Sequence, residues 1–340
     1  MPKEGRREGK ITLAEVAARA GVSVSAASKA LLGGGGKTTR VSQATISKIR
    51  RAASELGYRP NAAARQLKTG RSNIIGAIIH STAPRIYYEL FSIIQQKLAK
   101  TGYCFMVGQS DGSIRLLGRY LDEFHSRHTD AIITTFFEAP GENQQLRGLY
   151  AGLDNVLYLG SPDFENAPRV DMDTGDGIIQ VVDHLVSSGA SRIALDVVDK
   201  FYSTVRKRIQ GYRAGLKKHN IKADADLLIE NDGAPGNAAA TARRALELEA
   251  QAVAAGNDLR AAAIIRELQR LGRRVPEDIR VTGFDNMDFS ALLKPSLTTV
   301  DQRNGAVADA AVFMVRHYLD NMKFPENISI KPRLVLRESA

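Results

Sequence analysis

The densest chemistry in this sequence is cationic. Residues 1–71 hold 15 Lys and Arg against four acids (Glu4, Glu8, Glu15 and Glu55), a net +11, while the other 269 residues carry 32 bases and 33 acids. A basic segment on a neutral body is the footprint of polyanion binding, and DNA phosphates are the usual polyanion. A solvated basic tail gives the same count, so charge alone leaves both readings open. Catalytic patterns are missing: there is no Gly-x-Ser-x-Gly, His-Glu-x-x-His or Cys-x-x-Cys. His125-x-x-His128 is half a metal site with no further ligand cluster, and reads as a solvated helix end. Gly36-Lys37-Thr38 imitates the end of a phosphate loop, but its leading glycine position is Leu31 and it follows a helix rather than a strand. Cys104, the single cysteine, excludes an internal disulfide, suits a reducing compartment and reads as a small buried hydrophobe. No enzyme activity, cofactor or metal is expected.

Three short helices must position those cations. Thr12 and Glu15 have capping-box spacing and open a helix, Leu13–Ala20, which Gly21 stops. Ser23 caps a second helix running to about Leu32. A helix, a glycine turn, a cap and a helix form the helix-turn-helix arrangement. On the second helix Val24, Ala27, Ala30 and Leu31 are expected to face the core. Ser25, Ala26, Ser28 and Lys29 are left outward, small enough to enter a major groove. A third helix is capped by Ser42 and turns Ile46, Ile49, Ala53 and Leu56 inward. Pro60 then breaks the helical run, and Asn61 caps a short fourth helix, Ala62–Lys68, with Arg65, Leu67 and Lys68. That helix is either a linker packing Leu67 on a neighbour, or a hinge that orders on DNA with Leu67 wedged into the minor groove.

These residues resemble the lactose-repressor (LacI) family of bacterial transcription regulators. The matches are Thr12-Leu13, Val16-Ala17, Ala20 through Ser23, Ser28-Lys29, Val41-Ser42, Leu56-Gly57-Tyr58, Pro60-Asn61, Ala64-Arg65, Leu67 and Thr69-Gly70. The resemblance implies that Leu67 is the intercalating hinge leucine and that Ser25, Ala26 and Lys29 meet bases and phosphates. Thr12, Ser23, Ser28, Arg40, Asn61, Arg65 and Lys68 complete the expected DNA-binding set. Two departures stand out. Ala26-Ala27-Ser28 replaces the family's Thr-Val-Ser, and the turn from Gly33 to Arg40 is longer than usual. Its glycines are either an extra phosphate contact or a tolerated flexible insertion.

From Ile74 onward short apolar runs alternate with amphipathic helical stretches. The expected strands are Ile74–Ile79, Tyr103–Val107, Ala131–Thr134, Val156–Leu159, Ile193–Val198, Ala252–Ala255 and Ile279–Thr282. This alternation predicts parallel sheets covered by helices, in two doubly wound lobes with a ligand between them at the carboxyl ends of the strands. The resemblance continues here as a periplasmic-binding-protein-like (type I) body, through Arg208-x-x-Gly211-Tyr212, Gly256-Asn257-Asp258, Val275-Pro276-Glu277-Asp278 and Gly283-Phe284-Asp285. It implies that Arg208 clamps ligand hydroxyls or a carboxylate, that Asp285 accepts two hydroxyls, and that Asn257, Thr204 and Asp173 are further contacts. An Arg208–Asp285 salt bridge holding the lobes is the competing reading. The first loop, Ser81 to Tyr87, has lost the family's Asn-Pro and gained Arg85, while Tyr87 keeps an aromatic able to stack on a sugar. Ser81, Gln109 and Asp111 are additional pocket candidates.

The expected architecture is an all-α helix-turn-helix headpiece plus an α/β body of two parallel-sheet lobes. Its domains are 1–59 for DNA binding, 60–71 for hinge and linker, and 72–340 for effector binding and dimerisation. Lobe 1 comprises about 72–171 and 302–326, and lobe 2 about 172–301 and 327–340. The expected function is a sequence-specific regulator, by family default a repressor, binding a palindromic double-stranded operator as a homodimer. A sugar or sugar derivative is expected to control its affinity. The alternatives are a cytoplasmic sugar sensor or an α/β enzyme without DNA regulation. Residues 1–10 lack a signal peptide's apolar core, no apolar run approaches the roughly 18–20 residues that span a bilayer, and residues after Leu336 show no leucine heptads. The expectation is a cytoplasmic dimer without a membrane or tetramerising segment.

Overall fold

The computed structural model describes residues 11–32, 41–79, 85–135, 143–160, 162, 166–198, 202–231 and 235–340. Arg40, Ser81 and the Gly33–Gly36 run lie outside the described residues. The chain divides into two compact units, residues 1–74 with Phe124–Asp130, and Ile75–Glu123 with Ala131–Ala340.

The first unit is a helical bundle built from α1 (Leu13–Ala20), α2 (Val24–Leu32) and α3 (Gln43–Glu55), followed by α4 (Ala62–Thr69). The expected capping box is present: Glu15 N–H donates to Thr12 Oγ1 at 3.3 Å, and Thr12 N–H donates to Glu15 Oε2 at 2.6 Å. Gly21 ends α1 at φ 62°, a left-handed conformation that a Cβ disfavours. Val16, Ala17, Ala20, Ala27, Ile49, Ala52 and Ala53 form the buried core, small side chains that let three short helices approach closely. Val24 is 49% exposed and does not join it. The inward stripe of α2 starts one turn later at Ala27, because Val24 lies where the chain has just left the turn. Asp130 returns to this unit by accepting from the N–H groups of Ser72 and Asn73 at 2.9 and 2.8 Å.

The second unit is α/β. Its first half runs β1 (Ile74–Ile79), α5 (Arg85–Ala99), β2 (Cys104–Gln109), α6 (Ile114–Ser126), β3 (Ala131–Thr135), α7 (Asn143–Tyr150), β4 (Val156–Leu159) and β5 (Arg169–Met172). The second half runs α8 (Thr174–Ser187), β6 (Ile193–Val197), α9 (Ser203–Lys218), β7 (Leu228–Glu230), α10 (Ala238–Glu247), β8 (Ala252–Ala254), α11 (Asp258–Arg270) and β9 (Arg280–Thr282). β10 (Thr299–Asp301), α12 (Asn304–Asn321), β11 (Ile328–Ile330) and β12 (Arg333–Val335) complete the chain. One sheet has the order β11-β5-β4-β3-β1-β2, a second the order β7-β6-β8-β9, and β10 pairs antiparallel with β12. The two larger sheets make two parallel-sheet lobes, the fold class expected.

Two expectations are corrected. Residues 327–340 do not all belong to lobe 2: β11 pairs in parallel with β5, Ile328 and Ile330 pack on the first lobe's core, and Asn327 Oδ1 accepts from Arg169 N–H at 2.8 Å. Three residues are too short a run to show strand periodicity. Cys104 is exposed rather than buried, because β2 is the edge strand of its sheet. Gly211 has a packing role: a Cβ there would collide with the carbonyl oxygen of Gly175, so α8 and α9 meet backbone to backbone. No helix among the described residues is long and apolar enough to cross a membrane.

Candidate DNA-binding face and effector cleft

In the first unit the expected caps are in place. Ser23 Oγ accepts from Ala26 N–H at 3.2 Å and Asn61 Oδ1 from Ala63 N–H at 3.0 Å. Thr12, Ser23 and Asn61 therefore act on backbone groups here, which fixes the entry of each helix. On α2 Ser25 is exposed, and Ala26, Ser28 and Lys29 are half-buried. Lys68 Nζ donates to Ser28 Oγ at 3.0 Å, joining α4 to α2. Gly70, left-handed at φ 70°, closes α4 one residue later than expected. Leu67 is 90% exposed, so no neighbour covers it. Arg65 is half-buried, and its buried Nε has no hydrogen-bond partner among the described residues.

In the second unit the expected effector residues separate into two groups. Arg208 and Asp285 come together with Tyr87. Arg208 Nη1 donates to the carbonyl of Gly256 at 2.5 Å, and the guanidinium lies 3.9 Å from the centroid of the Phe284 ring. Its buried Nε has no hydrogen-bond partner among the described residues. Asp285 accepts from Gln302 Nε2 at 2.5 Å, and no direct ion pair with Arg208 is found among the described residues. Its backbone sits at φ 117°, a region L side chains rarely adopt, pinned by an N–H···O bond of 2.8 Å to Val300. Burial pushes the Asp285 carboxyl up to about 7; Arg208 opposes that shift and Asp258 adds to it. Burial, then Asp285, pushes the Tyr87 phenol up to about 12, and burial lowers Arg208 below the usual guanidinium range. A guanidinium, a carboxyl and a phenol thus share one desolvated space, each able to hydrogen-bond a polyhydroxylated ligand.

Asn257 borders this group at the start of α11, with its Oδ1 accepting from Arg260 N–H at 2.9 Å. The turn carrying Gly256 and Asn257 is held by Asp196, which accepts from Gly256 N–H at 3.1 Å and from the buried Arg260 at 2.6 Å. Asp173 caps α8 by accepting from Asp176 N–H at 3.0 Å. Thr204 is exposed, one helical turn before Arg208 on α9. Gln109 is exposed at the end of edge strand β2 and donates to Tyr88 Oη at 3.4 Å. The structure does not join Asp173, Thr204 or Gln109 to the Arg208–Asp285 group by any hydrogen bond.

Sequence reasoning missed Phe284, Gln302 and Asp258. Phe284 sits beside Asp285 in the chain, a signal that was available. Asp258 accepts from Ser290 Oγ at 2.6 Å, Met287 N–H at 2.7 Å and Thr299 Oγ1, and so anchors the loop that carries Asp285. Gln302 reaches Asp285 only through tertiary pairing, and nothing in its local sequence marks it. Thr135 Oγ1 and Thr282 Oγ1, at the carboxyl ends of β3 and β9, are buried without hydrogen-bond partners among the described residues. No group of three or more His, Cys, Asp or Glu side chains able to hold a metal is found among the described residues. His125 and His128 are exposed, at and just beyond the end of α6.

Comparison with known proteins follows the same division. Residues 12–61 match the model of the bacterial regulatory proteins of the lacI family, and residues 182–340 match that of a periplasmic binding protein-like domain. The HTH-type transcriptional repressor PurR of Aliivibrio salmonicida (strain LFI1238) is 26% identical over 334 residues, covering 96% of this chain and 98% of that one. The ribose operon repressor of Escherichia coli (strain K12) is 25% identical over 332 residues, covering 97% and 99%. Among solved structures, the complex of the transcriptional regulator CelR with cellobiose superposes with a TM-score of 0.70 at 26% identity, covering 97% of this chain and all of that one. The lac repressor dimer bound to operator and the anti-inducer ONPF gives a TM-score of 0.81 at 24% identity over 97% and 98%, a likeness of fold.

Proposed function

Because the chain belongs to the lacI family of bacterial regulatory proteins, a family of DNA-binding regulators governed by small molecules, we propose that it is a transcriptional repressor whose effector is a carbohydrate. The observation that carries the DNA half is Leu67, 90% exposed on a helix capped at both ends and tied to α2 through Lys68 and Ser28. An apolar side chain held out in water has a purpose when it enters a stacked, apolar space, and a minor-groove base step is one. In this reading Ser25, Ala26 and Lys29 face the major groove. Arg40, Arg65 and Lys68 meet phosphates, while Thr12, Ser23 and Asn61 present helix starts to the backbone. Two copies make a homodimer on a palindromic operator, with the paired α4 helices between two half-sites. Such a repressor works where the chromosome is, in the cytoplasm.

A carbohydrate suits the Tyr87, Arg208 and Asp285 group. An aromatic ring covers the apolar face of a sugar, and the guanidinium and carboxyl take its hydroxyls. The relatives' names point the same way: one is a ribose operon repressor and one structure holds cellobiose. Asn257, Asp173, Thr204 and Gln109 are the further contacts assigned in this proposal, and Ser81, outside the described residues, is assigned to the effector set from its sequence position alone. Effector binding changes lobe closure and, through it, whether α4 orders on DNA.

The test is an electrophoretic mobility shift on the DNA upstream of the protein's own gene. A sequence-selective complex that a sugar releases or strengthens is expected. If none forms with any sugar present or absent, the proposal fails. A thermal-shift screen of sugars identifies the effector, since a ligand of the native state raises the midpoint.

A further inference from the structure

The stretch that follows α4 reads as a linker in sequence, yet every backbone N–H from Gly70 to Ile74 is engaged. Gly70 N–H donates to the carbonyl of Gln66 at 2.7 Å, and Arg71 N–H to Thr69 Oγ1 at 3.2 Å. Ser72 and Asn73 N–H donate to Asp130 Oδ1 and Oδ2 at 2.9 and 2.8 Å, and Ile74 N–H donates to Ser72 Oγ at 3.1 Å. Of these acceptors only Asp130 comes from another part of the chain, 58 residues beyond Ser72. A flexible tether leaves its amides to water, whereas a segment with each amide bonded moves as one piece.

The arrangement suits a carboxylate. Two successive N–H groups converge on its two oxygens, the way adjacent amides form a cradle for an anion. Asn73 sits at φ 56°, a left-handed conformation that asparagine adopts more readily than most side chains. Bonds to a charged acceptor are roughly twice as strong as neutral ones. An asparagine in place of Asp130 would offer one acceptor oxygen and turn an NH₂ group toward the other amide. Ser72 is buried, so an amide released there gains little water in exchange. Asp130 is also tied to β1 through its own N–H, which donates to the carbonyl of Ile74 at 2.8 Å. The next residue, Ala131, opens β3 and pairs with Ile75 of β1. The carboxylate therefore stands at the foot of two neighbouring parallel strands and grips the chain that leads back to α4.

We infer that Asp130 is a positioning residue for operator recognition: its carboxylate latches residues 72 and 73 and so removes the slack behind α4 and Leu67. The inference rests on the reading of α4 as a hinge helix that meets DNA. A free tether lets such a helix sample many directions, and binding has to freeze them. The latch removes that entropic cost before DNA arrives. It also offers a point of control, because any shift of β3 against β1 displaces the acceptor of both linker amides.

The test compares the full wild-type chain with Asp130→Asn and with Gly211→Ala, which is weakened at the α8–α9 contact instead. Trypsin is added under native conditions, and mass spectrometry follows the fragment that begins at Ser72, released by cleavage after Arg71. Asp130→Asn should release it about tenfold faster or more than the wild type, the effect of losing one charge-assisted hydrogen bond. Gly211→Ala should stay within about twofold of the wild-type rate. Operator affinity of Asp130→Asn, read by mobility shift, should fall about tenfold. The inference is overturned if Asp130→Asn releases the fragment at the wild-type rate. It is equally overturned if Gly211→Ala matches the acceleration, since lower global stability then accounts for both, or if operator affinity stays within about twofold while the linker loosens. Should Asp130→Asn fail to fold, amide exchange in the wild type decides: Ser72 and Asn73 should exchange about tenfold or more slower than free amides, and free-amide rates at both sink the latch. A wild-type chain that binds no operator overturns the repressor reading instead, while cleavage and exchange still judge whether Asp130 holds the linker.

Discussion

At the scale of single residues the cleft is a problem of desolvation. Asp285 titrates near 7 in the folded chain and near its ordinary 3.8 once unfolded. Between those two values the native state holds a proton that the unfolded chain has released, so this group makes stability fall as pH rises from about 4 to about 7. Below that window it contributes nothing, and above it the loss is constant. Asp285→Asn removes the titration, and the variant's thermal midpoint should be flatter than the wild type's between pH 5 and 7.5. Where the proton difference is complete, the slope removed is about 1.4 kcal/mol per pH unit. A pH profile parallel to the wild type's would count against a desolvated Asp285. Arg208 gives a second prediction. Its guanidinium touches Gly256 and Phe284 but forms no direct ion pair with Asp285. If the proposed carbohydrate effector binds in this cleft, Arg208→Ala should abolish the thermal response to it while leaving operator affinity within about threefold, read by isothermal titration and mobility shift. A wild-type response to the sugar would reduce Arg208 to a structural residue.

Secondary elements carry the next two predictions. Leu67 is almost fully exposed, so Leu67→Ala should leave the unfolding midpoint within about 0.5 kcal/mol of the wild type. The same change should weaken operator binding roughly 10- to 100-fold if the side chain unstacks a base step. Unchanged operator affinity would return α4 to the role of a plain linker. α8 and α9 meet at Gly175 and Gly211, where a Cβ on Gly211 would overlap backbone. Gly211→Ala should cost about 1–3 kcal/mol in denaturant unfolding, because two packed helices cannot separate without disturbing the core beneath them. These elements show how far pattern reading reaches. Thr12, Ser42 and Asn61 announced helix starts correctly, since a cap is a local bond between neighbours in the chain. Val24 and Cys104 went astray, because which face of an element is covered depends on what packs against it.

At the scale of the whole molecule the charge is segregated. With +11 in residues 1–71 and a neutral remainder, operator affinity should fall steeply with salt. For 6–10 neutralised phosphates the loss between 50 and 200 mM is about 10³–10⁵-fold. A shallow dependence would mean that few of these cations reach the backbone. Sedimentation should give twice the chain mass of 37.0 kDa at micromolar concentration, and a monomer there would contradict paired half-sites. Lobe organisation was legible from the strand–helix alternation, yet β11 was assigned to the wrong lobe. A three-residue strand with Ile328 and Ile330 acquires its identity from its partner β5 rather than from its own sequence.

The sequence by itself determined what is local or additive. It set the capped helices of the headpiece, the accumulation of cations at one end, the alternating period of the body, and the motif positions of Arg208, Asn257 and Asp285. Only the tertiary structure decided what depends on distant segments meeting. It brought Gln302 to Asp285, laid Phe284 under Arg208, turned Asp173 into a cap, and set Lys207 of one lobe against Asp171 of the other. The physical reason is that hydrogen bonds and desolvation act over a few ångströms. Their partners are fixed by how the chain returns on itself, and for contacts tens to hundreds of residues apart no local pattern encodes that return.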